Sequence, residues 1–267
     1  MMNVRPPAVA GMFYPAQAQA LRLSLNDCFE QARTPGDLTR PKALVAPHAG
    51  YIYSGPVAAS AYTQLESWSG AIRRVVLLGP VHRVWVPGLA LAGADAFATP
   101  LGEIPVDKAA IHAIAGLPQI SLSPAAHAQE HSLEVHLPFL QTVLKSFSLV
   151  PLVVGDATPE EVAQVLDRLW GGDETLIVVS TDLSHYLPYD RARDADGATV
   201  RAILSLDGHL EGEQACGAHP LNGLLLAARR RGLSPKLLDL RNSGDTAGGR
   251  SRVVGYAAFA FIEAGHA

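Results

Sequence analysis

Three stretches of this chain run apolar without alternation and then stop near a histidine. Ala43-Leu44-Val45-Ala46 leads to Pro47-His48, and Val75-Val76-Leu77-Leu78 leads through Gly79-Pro80 to His82. Ile177-Val178-Val179 leads through Ser180-Thr181 to Asp182 and His185. A strand wetted on one face alternates apolar with polar residues, whereas one buried on both faces does not. These runs therefore read as interior strands of a parallel sheet covered by helices on both sides. Strand-like and helix-like runs alternate along the chain, as the crossovers of such a sheet require. The expected fold is α/β, a three-layer αβα arrangement with a mainly parallel central sheet. In open sheets of this kind ligands collect beyond the carboxyl ends of the strands. A histidine placed there is a neutral-pH ligand or base on a rigid support.

The 267 residues suit a single domain spanning 1–267, with 48% hydrophobic and 17% charged residues. A net charge of −4 argues against a nucleic-acid partner. The run Arg229-Arg230-Arg231 falls at a helix end, where it complements the helix dipole. No apolar run is long enough to span a membrane, and Met1 to Pro7 lacks the apolar core of a signal peptide. Cys28 and Cys216 form no disulfide framework. These readings lead us to expect a cytoplasmic protein with reduced thiols.

Helices are expected near 18–32, 54–66, 107–115, 159–170, 190–205 and 220–231. Thr158 caps the fourth, with Pro159 at its first position and Glu161 three residues after the cap. Leu133, Leu137, Leu140 and Leu144 make one apolar stripe, which predicts a helix over 131–145. Pro138 is an objection to that helix. Further strands are expected at 148–154, 235–241 and 252–262, the last apolar enough to be central. The segment from Pro80 to Pro105 reads as largely irregular, with one short apolar run at 88–92.

Four places hold chemistry-bearing residues at turns. His48 and His82 follow strands. Asp182 and His185, spaced i, i+3, share a face if Ser180–His185 enters a helical turn, and the carboxylate then orients the imidazole. Asp182 as a plain helix cap is the competing reading. Cys216 directly precedes a helix, whose positive end should favour the thiolate, a good ligand for soft metals. A small buried side chain is the alternative there. Glu130 stands beside the candidate site, and His136 reads as exposed or satisfied in the core. Together these residues suggest a mononuclear metal site. No phosphate loop, dinucleotide fingerprint or Gly-x-Ser-x-Gly elbow is present.

At this point the motifs resemble a known family. Ala10-Gly11-Met12-Phe13-Tyr14-Pro15, Pro47-His48-Ala49-Gly50-Tyr51, Gly79-Pro80-Val81-His82, Glu130-His131-Ser132-Leu133-Glu134, Ser180 to His185, Cys216 to Pro220 and Ser243-Gly244-Asp245 look like the Memo family in the same order. That family is named after a mediator of ErbB2-driven cell motility. Its prokaryotic members are called AmmeMemoRadiSam system protein B. It is similar in fold to class III extradiol dioxygenases of the LigB type, which hold Fe(II) by two histidines and a carboxylate. The resemblance implies that His48 and His82 are metal ligands and that His185 is the acid/base histidine. Cys216 stands where the dioxygenases use glutamate. Asp182 either supplies a carboxylate near the metal or orients His185, and the Gly50-Tyr51 turn shapes the pocket mouth. Fe(II) is the first expectation for the metal, with copper or zinc admitted by the thiolate.

The function this implies is a metal-dependent redox enzyme acting on a small molecule. A non-catalytic metal- or peptide-binding protein using the same cleft is the alternative, and a zinc hydrolase the third. The resemblance also implies radical-SAM system proteins as partners. The chain itself has no Cys-x3-Cys-x2-Cys cluster.

Overall fold

The computed structural model describes residues 2–33 and 40–263. In chain order its strands are β1 (Val4–Arg5), β2 (Pro41–Ala46), β3 (Arg74–Pro80), β4 (Leu89–Leu91), β5 (Ala96–Thr99) and β6 (Gly102–Pro105). These are followed by β7 (Ile120–Leu122), β8 (Ser148–Val154), β9 (Thr175–Ser180), β10 (His185–Leu187), β11 (Leu233–Asn242) and β12 (Val253–Glu263). The helices are α1 (Ala18–Glu30), α2 (Tyr51–Tyr62), α3 (Lys108–Ile114), α4 (Pro124–Ala128), α5 (Leu137–Val143), α6 (Pro159–Leu169), α7 (Tyr189–Leu204) and α8 (Ala218–Arg231).

The large sheet runs β10-β12-β2-β9-β3-β8-β4-β7, with β11 also on β12. Its centre, β2-β9-β3-β8, is parallel throughout. The margins are antiparallel where β12 meets β2 and β4 meets β8. β12 is interior, as its apolar sequence requires, because β2 and β11 pair on its two sides. A second sheet, β1-β5-β6, is small.

The continuous apolar strands feed two cores at once. Leu44, Leu77 and Val178 point into a core shared with Leu25 of α1, Val57 of α2 and Leu140 of α5. Their neighbours Val45, Leu78 and Val179 point the other way, against Leu166 of α6, Leu225 of α8 and Ile203 of α7. This is the three-layer αβα arrangement, and period-two alternation across a sheet buried on both faces produces it.

Local signals set several boundaries. Thr158 and Glu161 form a reciprocal capping box at α6, with Thr158 N donating to Glu161 Oε2 at 2.8 Å. Gly232 ends α8 in the left-handed conformation, φ 68°. Two expectations need correction. The segment from Pro80 to Pro105 is not irregular, since it contains β4, β5 and β6. The helix expected over 131–145 is a 3-10 turn at Glu134–His136 followed by α5. Pro138 is the physical reason: it sits in the first turn of α5, where its missing N–H costs nothing, so 130–133 stays a loop.

Candidate metal centre

Because β2, β9 and β3 are parallel neighbours, their carboxyl ends lie along one edge of the sheet. His48 and His82 stand two residues past β2 and β3, and Asp182 two past β9. The loop after α4 packs onto the same edge. Gly79 permits the approach, because a Cβ there would lie 2.8 Å from Ser132 Oγ. Ser132 Oγ donates to the Pro80 carbonyl at 2.7 Å and fixes the loop.

This geometry brings together His48, His82 and His131, with one ring nitrogen from each lying within 4.8 Å of the other two. His82 and His131 stack with centroids 4.5 Å apart, and both meet His48 edge-on. The hydrogen bonds assign the free nitrogens. Ser180 Oγ has one proton, which it donates to the Ser132 carbonyl at 2.6 Å. His48 Nδ1, 2.6 Å from the same oxygen, must then donate, which leaves Nε2 as the acceptor nitrogen of the ring, facing Cys216 Sγ at 3.3 Å. Glu130 Oε1 accepts from His82 Nδ1 at 2.9 Å, which leaves Nε2 as the ring nitrogen outside that contact. The Glu130 carboxylate also accepts from the backbone N–H groups of His82, His131 and Ser132. Burial pushes Glu130 up, but the His82 contact and these N–H groups outweigh it and hold it down to about 2. Burial first, then the neighbouring His82, pulls His48 well below the usual histidine range and His131 down to about 4. Imidazole nitrogens gathered this closely, with His48 and His131 held neutral, are a donor set that suits a transition metal.

The other expected site residues fall around this cluster. Cys216 Sγ lies 3.3 Å from His48 Nε2 and accepts from the Asp182 N–H at 3.3 Å. Its expected acidity is not seen. Burial, with Asp182 adding to it, pushes the thiol up to about 12, outweighing the short distance to the start of α8. Asp182 is buried, and its carboxylate accepts from His48 N at 2.8 Å and from the Ala49 N–H. Burial raises it to about 7 against those bonds. It does not share a helical face with His185, because 181–184 forms no helical turn and His185 opens β10. Tyr51 is turned away from the cleft, its hydroxyl donating to the Val135 carbonyl at 2.7 Å. His136 is buried with Nδ1 2.8 Å from Tyr62 Oη.

A cavity of about 630 Å³ opens over the cluster, and His48, His82, His131, Asp182 and His185 all reach its wall. A second cavity, about 780 Å³, lies against His82, His185 and Cys216. His131 was not among the ligands read from the sequence. The signal that would have found it is Pro138, which argues against one long helix from 131 onward and leaves His131 in a loop.

Comparison with known proteins agrees with this architecture. The family model described as Memo-like protein matches residues 5–260. A MEMO1 family protein of Methanopyrus kandleri is 39% identical, over 96% of this chain and 98% of its own. One from Aquifex aeolicus is 36% identical, over 98% of this chain and 100% of its own. Among solved structures, an uncharacterized protein from Escherichia coli K12 is similar in fold, with a TM-score of 0.50 and 16% identity, covering 81% of this chain and 99% of that one. None of the described helices is long and apolar enough to cross a membrane. The family match over nearly the whole length, with relatives this similar end to end, means that the chain belongs to the Memo family.

Proposed function

We propose that this protein binds a first-row transition metal, iron before copper or zinc, and uses it as a redox enzyme on a small molecule held in the 630 Å³ cavity. The observation that carries the reading is the convergence of the His48, His82 and His131 nitrogens within 4.8 Å at the carboxyl edge of the sheet. These three residues would hold the metal, with Cys216 close enough to His48 to join or replace one of them. A metal bound there supplies Lewis-acid and redox chemistry.

The chain's own groups do the rest. Glu130 fixes the tautomer and orientation of His82, and Ser180 does the same for His48. His185 stands on the cavity wall, placed to exchange a proton with bound substrate. Asp182 locks the His48 turn through two backbone N–H groups. One observation favours a zinc hydrolase as the second reading: the closest donor set is three imidazoles with no carboxylate, a set that catalytic zinc also uses.

Metal analysis of protein purified without added metal tests both readings. About one equivalent of iron or copper in the wild type, lost in His82→Ala and His131→Ala, is the expected result. Zinc at one equivalent with hydrolysis of model esters transfers the assignment to the second reading. Equal metal content in wild type and variants ends both.

A further inference from the structure

We propose that the cavity over the histidine cluster takes a small aromatic anion, with its carboxylate on Arg252. This deepens the reading of that cavity as the substrate site. Arg252 is the one guanidinium or ammonium among the residues on its wall. None of the ion pairs among the described residues involves it. Its contact is instead a stack, with the guanidinium carbon 4.9 Å from the centre of the Tyr186 ring. Stacking leaves the N–H edge of a guanidinium free, and that edge matches a carboxylate with two parallel donors.

Tyr186 itself is held at a cost. It adopts φ 60°, a left-handed conformation that bulky side chains rarely take. Such outliers persist where the surroundings over-determine them, and they concentrate at ligand sites. Here β10 pairs with Val253 and Val254 of β12, next to Arg252, and Tyr186 sits at the break in that pairing, so the strained residue lies beside the cation it stacks on. Phe13, Tyr53 and Tyr256 give the same wall an aromatic surface for a flat ring. Gly249 leaves the rim near Arg252 open, with nothing within 4 Å of an added Cβ. Among the described residues of the wall the one carboxylate, Asp182, is already engaged by backbone N–H groups.

Calorimetric titration of the full chain with benzoate and with methyl benzoate tests this. Chelator-treated protein is used beside metal-loaded protein, so the anion contact is read apart from the metal. The expected result is benzoate binding in both forms, at least tenfold weaker in Arg252→Ala and partly retained in Arg252→Lys. Tyr186→Ala, which keeps the charge and removes the stack, should weaken benzoate several-fold. Methyl benzoate should bind at least tenfold more weakly than benzoate to wild type. Equal benzoate affinity in wild type and Arg252→Ala, with melting curves showing both folded, overturns the proposal. So does the absence of benzoate binding at millimolar concentration. Binding that needs the metal and ignores Arg252 also overturns it, and leaves the metal reading standing.

Discussion

His82 and Glu130 are joined twice: the ring Nδ1 lies 2.9 Å from one carboxylate oxygen, and the backbone N–H donates to the other at 2.7 Å. The pair thus fixes both where the residue sits and which way its ring faces. Glu130→Gln keeps the shape but exchanges a charged acceptor for an amide. We expect metal affinity to fall by roughly 10- to 100-fold, the usual loss when the carboxylate behind a ligating histidine is removed. Competition against a chelator of known affinity measures it, and an unchanged affinity would refute the role given to Glu130.

Asp182 is expected to matter first for stability. Asp182→Ala strands the buried His48 N–H, at a cost of about 1–3 kcal/mol, and removes the acceptor of the half-buried Ala49 N–H as well. Asp182→Asn retains an acceptor oxygen and should lose less. Urea unfolding of the three proteins ranks them, and Ala equal to Asn would contradict the assignment.

Glu134 fastens the N-terminal segment. It is buried, pairs with Arg5 and accepts from Ala8 N, Val9 N and the Tyr14 hydroxyl. Glu134→Ala leaves the buried Arg5 charge without its partner, which should cost about 3–5 kcal/mol. A loss of less than about 1 kcal/mol in chemical denaturation would show the segment to be held otherwise.

The buried His127 makes stability fall in mild acid. Burial, against the contact of Nε2 with the Ala90 carbonyl, holds it down to about 4, while the unfolded chain keeps the ordinary 6.5. Between those values the unfolded state binds the extra proton, so stability rises with pH there and is lost as pH falls from 6.5 towards 4. At pH 5 the loss from this residue is about 2 kcal/mol relative to pH 7. His127→Gln should flatten that part of the stability curve, as read by urea unfolding at the two pH values.

The strands carrying His48 and His82 were legible because burial on both faces erases polar alternation, and few other elements of this length do that. Asp182 was placed at a strand end for the same reason. His131 was not, because it follows a short helix and lies in a leucine pattern that mimics a longer one. Pro138 argues against that longer helix, and the consequence is a loop through His131. The Asp182–His185 spacing misled because i, i+3 means a shared face only in a helix, and this segment is not helical. The acidity expected of Cys216 failed because nearness to a helix end says nothing of the burial and the carboxylate that surround it.

Strand order also governs when the site can come into being. β2 and β3 do not touch; β9, about a hundred residues further along the chain, lies between them and pairs with both. A ribosome that has released everything through α6 has delivered all three clustered histidines, yet lacks the strand that sets the distance between two of them. Closing such a long loop is slow, because its entropy is lost before any contact compensates. A nascent chain should therefore acquire metal only after residue 180 has left the exit tunnel, late and in one step rather than ligand by ligand.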